Sequence, residues 1–330
     1  MDSAPSVFTV LAYNLREQRK QKLLSQEQLA DLAGLDRTYI SLIETGKRNP
    51  SLSTIVDLAA ILQIEVIDLL LEKTTTLTPI EQFCAEYAIN PKALPEILRD
   101  PKVIPMIRGK AFEFAVQDRL VRLLKVGYTS LTPFLNPQSG TDKTDVQITR
   151  AADGVVFRVE CKLTQKGGFK ALPKQQGYQL RVKCMRSRTL GEKAAERMSV
   201  KTGRTAHDHF IHSDQYLPNE FDFVVTSIAN AFFETDDDGV FIWQPPEQAN
   251  PLLAVLGIEN ANAAFGKMYV AKSTALCAIP ANAILCSCQT CTEKTTCGFI
   301  PNYPTLVFNK AGQIQHPWYP LEQLESLLNS

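Results

Sequence analysis

The sequence predicts a multidomain chain: an all-α helix-turn-helix domain followed by an α/β domain with a mixed central sheet. Three observations carry this reading. Apolar residues recur at three- and four-residue spacing through the first 72 positions. Alternation then changes to period two between about 128 and 164, the mark of strands. Finally, 330 residues suffice for two cores.

In the N-terminal region the repeated apolar positions are Val10, Leu11 and Leu15, then Leu29 and Leu32, then Ile40 and Ile43, then Ile55, Leu58 and Leu62. Ser25 and Asp36 are helix starts, and Gly34 supplies the turn between them. Leu29, Ala33, Ile40 and Ile43 then face inward and hold the two helices at a fixed angle. Arg37, Thr38, Tyr39 and Ser41 are left on the outer, N-terminal part of the second helix, which suits insertion into a DNA major groove. Arg16, Arg19, Lys20, Lys22, Lys47 and Arg48 are further cations for that side.

Residues 8–71 strongly resemble the phage repressor and Cro-like (XRE) helix-turn-helix family, through Gln26, Ala30, Gly34, the run Ile40–Glu44 and the run Gly46–Pro50. The resemblance implies a buried ion pair between Arg19 and Glu44, a phosphate contact from Gln26, and double-stranded DNA as partner. A helical bundle used only for dimerisation is the alternative.

The segment Lys73–Pro79 reads as a linker, and 79–100 as one or two helices. A longer helix is expected from about 106 to 125, ending at Gly127. The resulting division is 1–73 for the helix-turn-helix domain, 74–105 for the connection and 106–330 for the second domain.

Within 142–163, the Asp-Gly pair of Ala151–Gly154 is a hairpin turn that sets Asp145 opposite Glu160 or one diagonal step away. Period-two geometry sends Val146, Ile148, Phe157, Val159, Cys161 and Leu163 to the core. It leaves Asp145, Gln147, Arg158, Glu160 and Lys162 on the other face. Two neighbouring carboxylates repel unless a divalent cation lies between them, and oxygen ligands suit Mg²⁺. A lysine beside them can orient a water or hold developing negative charge. The bland alternative is a half-exposed hairpin with a surface ion pair.

From about 106 to 230 the chain resembles the PD-(D/E)XK nuclease superfamily, with Asp145, Glu160 and Lys162 as the matching set. Glu113, on the helix Gly109–Val116, is the glutamate that often supports the metal site. Thr144 stands where the family commonly has proline. The resemblance implies a restriction-endonuclease-like core, Mg²⁺ as cofactor, and products with 5′-phosphate and 3′-hydroxyl ends.

Charge is unevenly spread. Residues 101–204 carry 21 basic and 8 acidic side chains, whereas 205–330 carry 4 and 13, so a polyanion is attracted to the middle of the chain. The cations and amides after the hairpin, from Lys166 through Gln175, Gln176, Gln179, Arg181, Lys183 and Arg186 to Arg188, suit phosphate and base-edge contacts.

Four of eight cysteines, Cys286, Cys288, Cys291 and Cys297, have the count for a structural Zn²⁺ site, with unligated cysteines or an iron–sulfur cluster as alternatives. Cys84, Cys161, Cys184 and Cys277 read as ordinary core or surface residues. His207, His209 and His212 read as a polar loop, with a metal site as the other option.

There is no P-loop, so no nucleotide cofactor is expected, and no stretch of about 18 apolar residues for a membrane span. The start MDSAPSVFTV lacks a basic, apolar leader, which points to the cytoplasm. Taken together, the expectation is an Mg²⁺-dependent type II restriction endonuclease acting as a homodimer on double-stranded DNA. A transcriptional regulator with a non-cleaving domain and a repair or structure-specific nuclease are the alternatives.

Overall fold

The computed structural model describes residues 6–71, 78–124, 127–131, 144–186, 189–236 and 240–329. Most of the expected linker, together with Asp142 and Arg188, lies outside them. The chain divides into two compact units, Met1–Ala93 and Leu94–Ser330.

The first unit contains α1 (Val7–Gln21), α2 (Gln26–Ala33), α3 (Arg37–Glu44), α4 (Leu52–Leu62), α5 (Val66–Leu70) and α6 (Pro79–Glu86). Most of the expected apolar positions meet in one core, where Leu15, Leu29, Ile40, Leu58, Leu62 and Leu69 are fully buried; Leu32 instead faces solvent, and Val10 is half-buried outside that core. Asn14 Nδ2 ties α1 to the end of α5 by donating to the carbonyls of Leu69 (3.2 Å) and Leu71 (2.7 Å).

The second unit opens with α7 (Leu94–Arg99) and α8 (Ile104–Leu123), the latter being the long helix expected from the sequence. The helices of the expected connection therefore fall one in each unit. The strands are β1 (Tyr128–Leu131), β2 (Val146–Arg150), β3 (Val156–Cys161), β4 (Thr164–Leu172), β5 (Gly177–Val182), β6 (Phe223–Ser227), β7 (Phe233–Thr235), β8 (Phe241–Trp243), β9 (Met268–Lys272), β10 (Thr305–Asn309) and β11 (Tyr319–Pro320). Six of them form a sheet in the order β1-β2-β3-β6-β9-β11. Only the β3–β6 pairing is parallel, so the sheet is mixed, as expected.

Alternation along these strands separates two cores. Val146, Ile148, Val159, Phe223 and Val225 pack with Phe112, Val116 and Leu120 of α8 on one face. Val224, Tyr269 and Ala271 face the other way, where β10-β5-β4 forms a second sheet above them. The site face of the hairpin is thus partly roofed by protein.

β4 and β5 are a departure from the sequence reading, which treated 166–188 only as a nucleic-acid-facing stretch. Its glycines, lysines and glutamines are depleted in β-branched residues, so it carries no strand signal. Pairing with distant β10 makes the strand. Gly177 is required there, because a Cβ would lie 2.3 Å from the Phe308 carbonyl oxygen.

Candidate functional site

The helix-turn-helix is assembled by local caps. The Ser25 Oγ accepts from the Gln28 N–H (3.0 Å), and the Gln28 carboxamide accepts from the Ser25 N–H (2.7 Å), so α2 begins with a reciprocal capping box. Gly34 ends α2 in the left-handed region at φ 63°, and the Asp36 carboxylate caps α3 by accepting from the Thr38 N–H (2.7 Å).

Arg19 and Glu44 form the buried, two-pronged ion pair that the family resemblance implied, at 2.6 and 2.9 Å. Gln26 also turns its amide to Glu44, at 2.8 Å, so the side chain expected on a phosphate is anchored inward. Arg37, Thr38, Lys47 and Arg48 are exposed, whereas Tyr39 and Ser41 are half-buried. Tyr39 packs on the unit's core, and the Arg48 guanidinium lies 6.0 Å from its ring centre.

In the second unit the β2–β3 register pairs Val146 with Val159, which carries Asp145 directly opposite Glu160. A tight turn at 151–154 sets this register, with the Arg150 N–H donating to the Val155 carbonyl (2.9 Å). Among the described residues, Asp145 accepts one hydrogen bond, from the Cys161 N–H (2.8 Å). Glu160 is 5% exposed and receives both the Lys162 ammonium (2.6 Å) and the Tyr216 hydroxyl (3.0 Å).

The electrostatics of this group are uneven. Burial, and then the neighbouring Glu160, push the Asp145 carboxyl up to about 7. Burial opposes the Lys162 charge, but Glu160, Tyr216 and Asp145 hold its ammonium well above the ordinary lysine range. Glu113, half-buried on α8 and paired with Lys110, adds a smaller repulsion on Asp145. All four expected residues therefore act on one locus. Tyr216 was absent from the sequence reading because it lies 56 residues from Glu160 and carries no motif.

A cleft of about 810 Å³ opens beside Lys162 and is lined by Arg108, Lys166 and Lys183 among others. Arg186 also lines it, but its guanidinium is bound to Glu220 (2.5 Å) and to the Gln215 carbonyl (3.1 Å). Its role is thus structural, contrary to its reading as a DNA contact. Arg108 is likewise engaged, 3.8 Å from the Phe233 ring centre.

The cysteine cluster is rearranged relative to expectation. His212, Cys286, Cys291 and Cys297 are all buried and bring one donor atom each to within 4.8 Å of the others. Cys288 is excluded. Its amide donates to the Cys286 sulfur (3.4 Å), and its own thiol turns away to the Ile211 carbonyl (3.1 Å). His212 takes the fourth place because 206–211 forms a helix, α9 (Ala206–Ile211), capped by Thr205, and not a polar loop.

The capped α2–turn–α3 pair, with its buried Arg19–Glu44 brace, defines a helix-turn-helix protein. Residues 15–69 match the family described as Helix-turn-helix, and through that unit the chain belongs to it. The control protein C.SmaI of Serratia marcescens is 49% identical over 61 residues, spanning 18% of this chain and 73% of that protein. The Neisseria hypothetical transcription factor of Neisseria meningitidis is 50% identical over 62 residues, spanning 19% and 58%. Among solved structures, the restriction-modification controller protein C.AhdI from Aeromonas hydrophila is 48% identical, covering 19% of this chain and 94% of its own, with a TM-score of 0.19.

Proposed function

We propose that this chain binds duplex DNA through α3 and hydrolyses DNA phosphodiesters with its second unit, in the manner of a type II restriction endonuclease. The DNA-binding half is supported by the exposed Arg37, Thr38, Lys47 and Arg48 on a braced helix-turn-helix. The hydrolytic half rests on one observation: Asp145, Glu160 and Lys162 converge where burial and mutual repulsion hold the Asp145 carboxyl near 7.

Two crowded carboxylates of this kind fit a divalent cation, whose charge would relieve the repulsion. Asp145 and Glu160 would hold Mg²⁺, with Glu113 adding negative potential. When bound, Mg²⁺ polarises a phosphate and lowers the pKa of a coordinated water. Lys162, released from Glu160, would place its ammonium on the attacking water or on a phosphate oxygen. Lys166 and Lys183 would hold the strand along the cleft. A palindromic target would match a homodimer.

A second reading is a transcriptional regulator of a restriction-modification system whose second unit does not cleave. It is favoured by the relatives, named as control proteins and a transcription factor. Supercoiled plasmid DNA incubated with the full chain and Mg²⁺, beside Glu160→Gln, separates the two. Cleavage by the parent protein and none by the variant supports hydrolysis. Tight binding to an operator-like duplex with no cleavage by either protein supports the regulator.

A further inference from the structure

We propose that His212, Cys286, Cys291 and Cys297 form a structural Zn²⁺ site in the second unit. This site is independent of the hydrolytic reading.

The donor set has the composition of a closed zinc centre, three thiols and one imidazole. Tetrahedral bonding at the usual Zn–S and Zn–N lengths places donors roughly 3.3–3.8 Å apart. A cluster already drawn within 4.8 Å would contract by about an ångström at most at its widest separation.

The histidine is prepared as a ligand. Its Nδ1 lies 2.8 Å from the Asp208 carbonyl, so that nitrogen carries the proton and Nε2 keeps its lone pair. The ring is stacked on Phe299 at 4.0 Å and 3°, which fixes its direction. Nε2 is buried without a hydrogen-bond partner of ordinary geometry, a state that a metal bond resolves.

One sulfur is prepared in the same way. The amide of Cys288 donates to the Cys286 sulfur (3.4 Å), which favours thiolate charge there. From Leu285 to Phe299 the chain has turns but neither helix nor strand, so the cluster is what organises it.

The consequence reaches beyond that loop. Gln215 donates to the Ile300 carbonyl (2.9 Å) and to the hydroxyl of Ser287 (3.2 Å), the residue next to Cys286. The neighbouring Tyr216 bridges to Ile300 and holds Glu160 through its hydroxyl. A metal at this cluster therefore stiffens the segment that carries the Glu160 hydrogen bond.

Metal analysis of the purified full chain by mass spectrometry, before and after dialysis against Zn²⁺, tests the site. One zinc per chain is expected, falling to background in Cys291→Ser, Cys297→Ser and His212→Ala but retained in Cys288→Ser. Should those substitutions prevent folding, His212→Cys keeps a four-donor set and should retain zinc. Co²⁺ titrated into metal-stripped protein should produce the visible bands of a tetrahedral thiolate site. Zinc missing from the reconstituted parent protein overturns the proposal. So does iron in its place, or a pattern in which Cys288→Ser loses zinc while His212→Ala keeps it.

Discussion

Asp145 and Glu160 face each other across the β2–β3 hairpin, yet their charges are handled differently. Lys162 and Tyr216 both bind Glu160, while among the described residues Asp145 has only the Cys161 amide. The positive charge that could serve both carboxylates is committed to one, and the other is held near neutrality at about 7.

Stability of the second unit should therefore depend on pH in the absence of divalent cations. The folded Asp145 carboxyl keeps its proton to about 7, whereas the unfolded chain releases it near pH 4. Between those values the folded state binds more protons, so stability falls as pH rises through the window, by about 2–4 kcal/mol. Thermal melts from pH 4 to 8 should show the fall in the parent protein and lack it in Asp145→Asn. Mg²⁺ should restore stability at pH 8.

The Arg19–Glu44 pair braces α1 against α3. Glu44→Ala leaves a buried guanidinium without its partner and removes the anchor of Gln26, so it should destabilise the first unit by about 3–5 kcal/mol. The double variant Arg19→Met/Glu44→Leu should recover most of that loss, since an apolar pair of similar volume avoids the unpaired charge. Denaturant melts followed by circular dichroism distinguish the two.

DNA affinity should divide along α3 and the loop after it. Lys47→Ala should weaken binding to all duplexes and reduce the slope of log affinity against log salt by about 0.9. Arg37→Ala, at the first turn of α3, should cost about 1–3 kcal/mol on the preferred sequence and much less elsewhere. Fluorescence anisotropy over a salt series reads both effects.

If the second unit cleaves DNA, Tyr216→Phe should leave the fold intact but remove one donor from Glu160. Cleavage should then fall about 10–100-fold, with a higher Mg²⁺ requirement, as for other groups that orient a metal ligand. Lys162→Met should abolish turnover while leaving plasmid binding nearly unchanged. Single-turnover cleavage against Mg²⁺ concentration checks both.

What the sequence by itself determined is the set of features made by neighbours along the chain. Ser25, Gly34 and Asp36 announce the helix-turn-helix because a cap or a left-handed turn acts within three residues. The Asp-Gly turn and strict alternation place Asp145 across from Glu160 because a hairpin's register follows from its turn. Tertiary structure alone decided which distant groups complete those features. Tyr216 on Glu160, Glu220 on Arg186, His212 among the cysteines, and β5 paired beside β10 all join residues separated by tens of positions. No local period encodes such meetings. They follow from which apolar faces are buried against one another, and the polar side chains carried on those faces find their partners as a result.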